Sequence, residues 1–129
     1  MNGGYSMASS EDSSYPSVYL YDEESSTYYY SHTSTPVITY QFNDGRVEWF
    51  NYYSLTRSSS RAYPKSWKLY GSNNGENWVI LDEQSSISFS TSETKYFSLR
   101  SNPRSYKLKI TSEVDLADWQ GYSAIYANP

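Results

Sequence analysis

The chain has no cysteine among its 129 residues. Neither a disulfide framework nor a thiolate metal site can form, so the fold must hold by core packing alone, in any redox compartment. Histidine is nearly absent too. His32 stands alone, and one histidine without cysteine cannot supply a zinc site. There is no nucleophile elbow of the form Gly-x-Ser-x-Gly and no Gly-rich phosphate loop. Among the 14 acidic residues no spacing singles out a pair for glycoside hydrolysis. Catalysis is therefore not expected. Excess positive charge is lacking as well: the net charge is −4 and the pI about 4.9. Nucleic-acid binding would need a basic stripe that the chain does not have. No apolar run approaches the roughly 20 residues of a membrane-spanning helix, and the opening MNGGYSMASSED has neither the basic nor the apolar region of a signal peptide. These absences fit a piece of a larger secreted or surface protein, an intracellular protein, or a component of a virus particle.

Aromatic residues are what the chain has in quantity. Hydrophobic residues make up only 37%, but they include 16 Tyr, 4 Trp and 4 Phe. Each large aromatic side chain can bury roughly 150–250 Å², so a compact core is possible without many Leu or Ile. Aromatic and hydroxyl-bearing residues favour strands and turns, and no window combines a helical period with good helix formers. The length suits a single domain over 1–129, with residues 1–4 frayed. Strands are expected near 5–8, over 37–42, 47–55, 66–72, 78–82, 95–99, 105–111 and 121–126. Segment 113–120 reads as irregular or as one helical turn, and 15–35 as folded loops and short strands. Turn chemistry falls at Asn43-Asp44-Gly45 and at Asn73 to Asn77. Short strands at this spacing indicate an all-β antiparallel sandwich, with Trp67, Leu69, Trp78 and Ile80 buried together and loops clustered at its two ends. Ligands on such scaffolds bind at those loops.

One stretch carries a more specific signal. Pro64-Lys65-Ser66-Trp67-Lys68-Leu69-Tyr70-Gly71-Ser72-Asn73-Asn74-Gly75-Glu76-Asn77-Trp78-Val79-Ile80-Leu81-Asp82 resembles the signature hairpin of the discoidin, or factor V/VIII type C domain, family. Weaker matches follow in order at Ala8-Ser9-Ser10, Tyr40-Gln41-Phe42, Tyr53-Ser54-Leu55-Thr56, Tyr96-Phe97-Ser98-Leu99, Tyr106-Lys107-Leu108-Lys109-Ile110 and Ser123-Ala124-Ile125-Tyr126. The resemblance thus covers nearly the whole chain. It implies a galactose-binding-like jelly roll. The hairpin itself is scaffold: Gly71 allows close strand packing, Asn73 to Gly75 reverses the chain, and the tryptophans anchor the core.

The resemblance also implies a function and a place for it. Carbohydrate-binding members hold a galactose-like sugar or other glycan in loops at one end of the sandwich, often with a His, an Arg and a stacking aromatic. The matching positions are His32, which follows Thr27-Tyr28-Tyr29-Tyr30; Arg57, which follows Tyr53-Ser54-Leu55-Thr56; and Trp119 with Tyr122 in the last loop. Tyr30 and Arg61 are further candidates. The basic cluster Arg57, Arg61 and Lys65 otherwise reads as solvated surface, and Trp119 could equally be core. Family members often carry a structural Ca²⁺, which wants six to eight oxygens. Asp22 and Thr27 match its first-loop pattern, but Ser123-Ala124-Ile125 stands where a late acid belongs, so a tight calcium site is not expected. The expected function is non-catalytic glycan binding or adhesion, at the cell surface or outside the cell if the parent protein is secreted. The alternative is a virion component, such as a tail or capsid decoration, docking through the same fold. Membrane insertion is not expected, since no loop pairs exposed apolar residues with basic ones.

Overall fold

The computed structural model describes residues 4–16, 19, 29–30, 37–43, 48–50, 52–57, 66–99, 104–106, 109–114 and 120–128; for 30, 48–50, 104–106, 109–114 and 120–128 it describes the backbone alone. Eleven strands appear among them: β1 (Gly4–Ala8), β2 (Tyr29–Tyr30), β3 (Val37–Phe42), β4 (Glu48–Phe50), β5 (Tyr52–Arg57), β6 (Trp67–Ser72), β7 (Val79–Gln84), β8 (Thr94–Ser98), β9 (Arg104–Tyr106), β10 (Lys109–Val114) and β11 (Gln120–Asn128). A five-stranded sheet has the order β1-β3-β10-β6-β7, a four-stranded sheet the order β2-β11-β5-β8, and β4 pairs with β9. Every one of these pairings is antiparallel. The fold is an all-β antiparallel sandwich, as the composition requires.

The two larger sheets meet across an aromatic core. Ile38, Tyr40, Phe42, Trp67, Leu69 and Leu81 come from the five-stranded sheet, and Tyr29, Tyr53 and Leu55 from the four-stranded one. Alternation along β3 buries Ile38, Tyr40 and Phe42 in turn. Trp67 stands edge-on to Phe97 with ring centroids 5.1 Å apart, and Tyr53 stacks on Phe97 at 5.3 Å. A buried polar chain joins the sheets through the same residues. Trp67 Nε1 donates to the Tyr53 hydroxyl at 2.6 Å, and that hydroxyl donates to Asp82 Oδ2, also at 2.6 Å. Indole N–H can only donate, so the direction of both bonds is settled. Gln84 Nε2 supplies a further donor to the same carboxylate oxygen at 3.1 Å. Burial, together with the Asp82 acceptor, holds the Tyr53 hydroxyl far above the ordinary phenol range.

Asp82 faces the core because of a register shift. Tyr70 pairs with Ile80, but the next residue of β6, Leu69, pairs with Asp82. Leu81 is the extra residue of a β-bulge. Opposed residues share a face, so Ile80 lies outward with Tyr70, while Leu81 and Asp82 both turn inward and are buried. This corrects the expectation that Trp78 and Ile80 join the core, since they are 37% and 40% exposed. Strict alternation from Trp78 counts no bulge, and Trp78 itself precedes the first paired residue of β7, Val79 opposite Gly71. The turn before it is built as its residues suggest. Gly75 has φ 77°, the region that glycine enters without strain. Ser72 Oγ accepts from Gly75 N at 2.8 Å, and Asn74 Oδ1 accepts from Glu76 N and Asn77 N, each at 2.8 Å.

Three other expectations are corrected. The run 47–55 reads as one strand but forms β4 and β5 in different sheets. Likewise 105–111 divides between β9 and β10. In both, a continuous run of strand-forming residues passes from the small sheet to a large one, and residue type does not mark the crossing. Strand structure also reaches Val114, into the segment expected to be irregular, because Glu113 and Val114 pair with Lys68 and Trp67. Of the turn Asn43-Asp44-Gly45, positions 44 and 45 lie outside the described residues.

Replacing Tyr53 by Phe strands the Trp67 N–H and removes the donor to Asp82, which costs about 2–4 kcal/mol in urea unfolding at pH 7. In the folded protein Tyr53 stays protonated, whereas in the unfolded chain it ionises near pH 10. Its stabilising contribution is therefore complete below pH 10 and falls above it by about 1.4 kcal/mol per pH unit. The gap between wild type and Tyr53→Phe should narrow accordingly in alkaline titrations. The bulge predicts a second contrast: Leu81→Ala costs about 2–5 kcal/mol, while Ile80→Ala stays below about 1 kcal/mol. Equal costs in chemical denaturation would contradict the observed register.

Candidate functional site

The end of the four-stranded sheet gathers residues far apart in sequence. β2 ends at Tyr30, β5 ends at Arg57, β8 starts at Thr94 and β11 starts at Gln120. Antiparallel pairing brings all four termini to one end. Gln120 pairs with Tyr30, Tyr122 pairs with both Tyr29 and Arg57, and Thr94 pairs with Thr56. β11 shifts register on both sides here, between Gln120 and Tyr122 against β2 and between Tyr122 and Ala124 against β5. Such bulges re-aim side chains and are common beside binding sites.

Arg57 is held at this end by its own contacts. Its backbone N donates to Glu93 O at 3.0 Å, and its Nη1 donates to Phe89 O at 2.8 Å. The guanidinium thereby fastens the 85–93 connection to β5. Phe89 is buried and its ring lies 6.3 Å from that of Trp67. Lys95 Nζ sits 5.7 Å from the Phe89 ring centroid, a cation–π distance. Ser90 and Glu93 close the turn, with Ser90 N donating to Glu93 Oε1 at 2.7 Å and Glu93 N to Ser90 O at 3.1 Å. Thr56 and Thr94 share a hydrogen bond between their hydroxyls at 2.7 Å. A guanidinium has five donors in a planar fork. Bonding to the Phe89 carbonyl orients that fork at the sheet end.

Of the six ligand candidates read from the sequence, the structure brings together Arg57, Tyr122 and Tyr30 by strand register. His32, Arg61 and Trp119 lie outside the described residues, as do Asp22 and Thr27. The 85–93 connection was not singled out from the sequence. Its one signal is Phe89, a lone aromatic inside the Ser/Thr-rich run Ser85 to Thr94. As for metal, no group of three or more His or acidic residues that could hold an ion occurs among the described residues. Ala124, which pairs with Thr56, brings no side-chain oxygen to the position of the late acid.

A sandwich of two antiparallel sheets with bulged strands and polar groups assembled at one end is the architecture of the galactose-binding-like jelly rolls. The F5/8 type C domain model matches residues 6–126, and the chain belongs to that family. Solved structures agree on the fold. CpGH89CBM32-5 of Clostridium perfringens, in complex with GalNAc-β-1,3-galactose, superposes with a TM-score of 0.79 at 14% identity, covering 98% of this chain and 96% of that one. The family 32 carbohydrate-binding module of C. perfringens NanJ, in complex with galactose, gives 0.75 at 12% identity, covering 97% and 93%. Chitosan-binding module 1 of a Paenibacillus sp. IK-5 chitosanase/glucanase gives 0.73 at 16% identity, covering 98% and 94%. No curated protein matches the chain in sequence.

With Ala124 where a carboxylate would be needed, chelation with EDTA should leave the melting temperature unchanged. A fall of several degrees, reversed by added Ca²⁺, would reveal a site built from other oxygens.

Proposed function

We propose that this protein is a non-catalytic carbohydrate-binding module that takes a galactose-type sugar at the end of the sandwich where Tyr30, Arg57 and Tyr122 meet. The observation that carries the reading is the pairing of Tyr122 with Arg57 and Tyr29, beside Gln120 with Tyr30. It places an arginine and aromatic residues from three separate strands at one sheet end. Covalent connection adds the remaining candidates: His32 is two residues from Tyr30, Arg61 four from Arg57, and Trp119 one from Gln120.

Chemistry supports the same choice. A sugar presents an apolar C–H face, which an aromatic ring covers, and hydroxyls, which planar polar groups bond. Trp119 and Tyr122 supply the ring, while Arg57, Arg61 and His32 supply donors. Similar structures were solved with galactose and with GalNAc-β-1,3-galactose, so these are the first sugars to try.

Titration calorimetry with both sugars should give an affinity of about millimolar, which corresponds to only about 4 kcal/mol. Arg57→Ala and Trp119→Ala should each weaken it at least about tenfold, roughly 1.4 kcal/mol. Arg57→Ala should also lower stability by about 1.5–3 kcal/mol through loss of its bond to Phe89 O. Absence of binding to every sugar of a broad glycan panel would refute the proposal.

A further inference from the structure

Most edges of the sheets are poor templates for a further strand. β2 has two residues, and β4 and β9 have three each. β7 carries the bulge at Leu81, followed by Asp82 and Glu83. β1 has Gly4 and Ala8 at its ends, both poor strand formers. Short, bulged or charged edges resist pairing. β8 differs from all of these. It ends the four-stranded sheet and runs from Thr94 to Ser98 in unbroken register with β5. Lys95 is its one charged residue. It pairs with the buried Leu55 and so faces inward, with its Nζ over the Phe89 ring. Thr94, Tyr96 and Ser98 are exposed, Tyr96 to 70%. Among the described residues no strand pairs with β8 on its far side.

Register decides which backbone groups of β8 reach that free edge. Arg57 N donates to Glu93 O, as in a hydrogen-bonded antiparallel pair. Such pairs recur at every second residue, so Leu55 with Lys95 and Tyr53 with Phe97 are the next. The N–H and C=O groups of Thr94, Tyr96 and Ser98 therefore point away from β5. These positions are symmetric about Tyr96. An antiparallel copy of β8, with a two-fold axis through Tyr96, sets Tyr96 against Tyr96 and Thr94 against Ser98, each pair exchanging both bonds. A shift of one residue would oppose outward groups to inward ones. A shift of two would leave one residue of each strand unpaired. The side chains agree with the central register. Tyrosine meets tyrosine and hydroxyl meets hydroxyl on the outer face, while Lys95 lies opposite Phe97 of the second copy. Aromatic and hydroxyl pairs are favourable across strands, and no like charges stand directly opposite.

We infer that β8 is a contact for a second copy of this chain, whose own β8 adds antiparallel and joins the two four-stranded sheets into one. The self-complementary pattern about Tyr96 selects this occupant, since an unrelated strand would have no reason to match it. A contact of one strand with one strand is small, so the pair forms weakly and reversibly. The two-fold axis reverses strand direction, which sends the two sheet ends in opposite directions. With sugar bound at each sheet end such a pair joins two glycans, but the contact itself does not depend on sugar.

Sedimentation equilibrium without sugar tests this. The wild-type chain should show a monomer–dimer equilibrium with a dissociation constant on the order of 100 μM. Tyr96→Lys sets two like charges against each other on the axis and should weaken association at least about tenfold. Its melting temperature should stay that of the wild type, because the Tyr96 side chain is mostly exposed. Tyr96→Cys gives a second readout in a chain without cysteine. Cα atoms of a hydrogen-bonded pair lie about 5.5 Å apart, within disulfide reach. This variant should oxidise to a covalent dimer at least about tenfold faster than Glu76→Cys, whose cysteine would sit on the exposed hairpin tip. The inference is overturned if the wild type stays monomeric at about 1 mM, if Tyr96→Lys associates as the wild type does, or if the two cysteine variants dimerise at equal rates.

Discussion

The hydroxyl of Tyr53 is the point on which the sandwich turns. It accepts from Trp67 and donates to Asp82, and these three residues come from β5, β6 and β7, on both sides of the core. Apolar contacts alone set no unique offset between two sheets, because packing of this kind is non-directional. Two short hydrogen bonds in a buried setting do set one. They also constrain each other: the tyrosine can satisfy both partners only while its ring lies against Phe97 and its sheet keeps its position. An aromatic-rich core gains definition from this chain of polar groups.

That interaction depends in turn on a local irregularity. Regular pairing would place Leu81 opposite Leu69 and turn Asp82 outward beside Lys68. The bulge at Leu81 inserts one residue and brings the carboxylate inside. Ile80, opposite Tyr70, lies at the surface just before the step. An apolar residue is thus exposed and an acidic one buried within three positions, the second because of a single extra residue on an edge strand.

The end of the four-stranded sheet gathers groups from elements far apart in the chain. At the end, chain termini converge, the backbone is bulged, and Arg57 is fastened to the 85–93 connection through Phe89 O. Polar groups there are directional, which suits a small ligand with a fixed pattern of hydroxyls. Thr56, which neighbours Arg57 in β5, bonds Thr94 at the same end.

Much of the fold was legible because it rests on local rules. The absence of cysteine and the abundance of tyrosine exclude disulfides and favour strands. The alternation in Val37 to Phe42 names its own core face, and Asn73 to Gly75 specifies a turn through residues that tolerate positive φ. The hairpin from Pro64 to Asp82 places the chain in its family. Partition between sheets was not legible: 47–55 and 105–111 look continuous, since strand propensity carries no information about which neighbour a strand will choose. Nor could the inward turn of Asp82 be read, because a bulge is decided by pairing with β6. Of the candidate site, the sequence by itself determined which side chains are available, an arginine, a histidine and several aromatics. Only the tertiary structure decided that Tyr30, Arg57 and Tyr122 share one sheet end. Antiparallel register joins residues by position along paired strands rather than by distance along the chain.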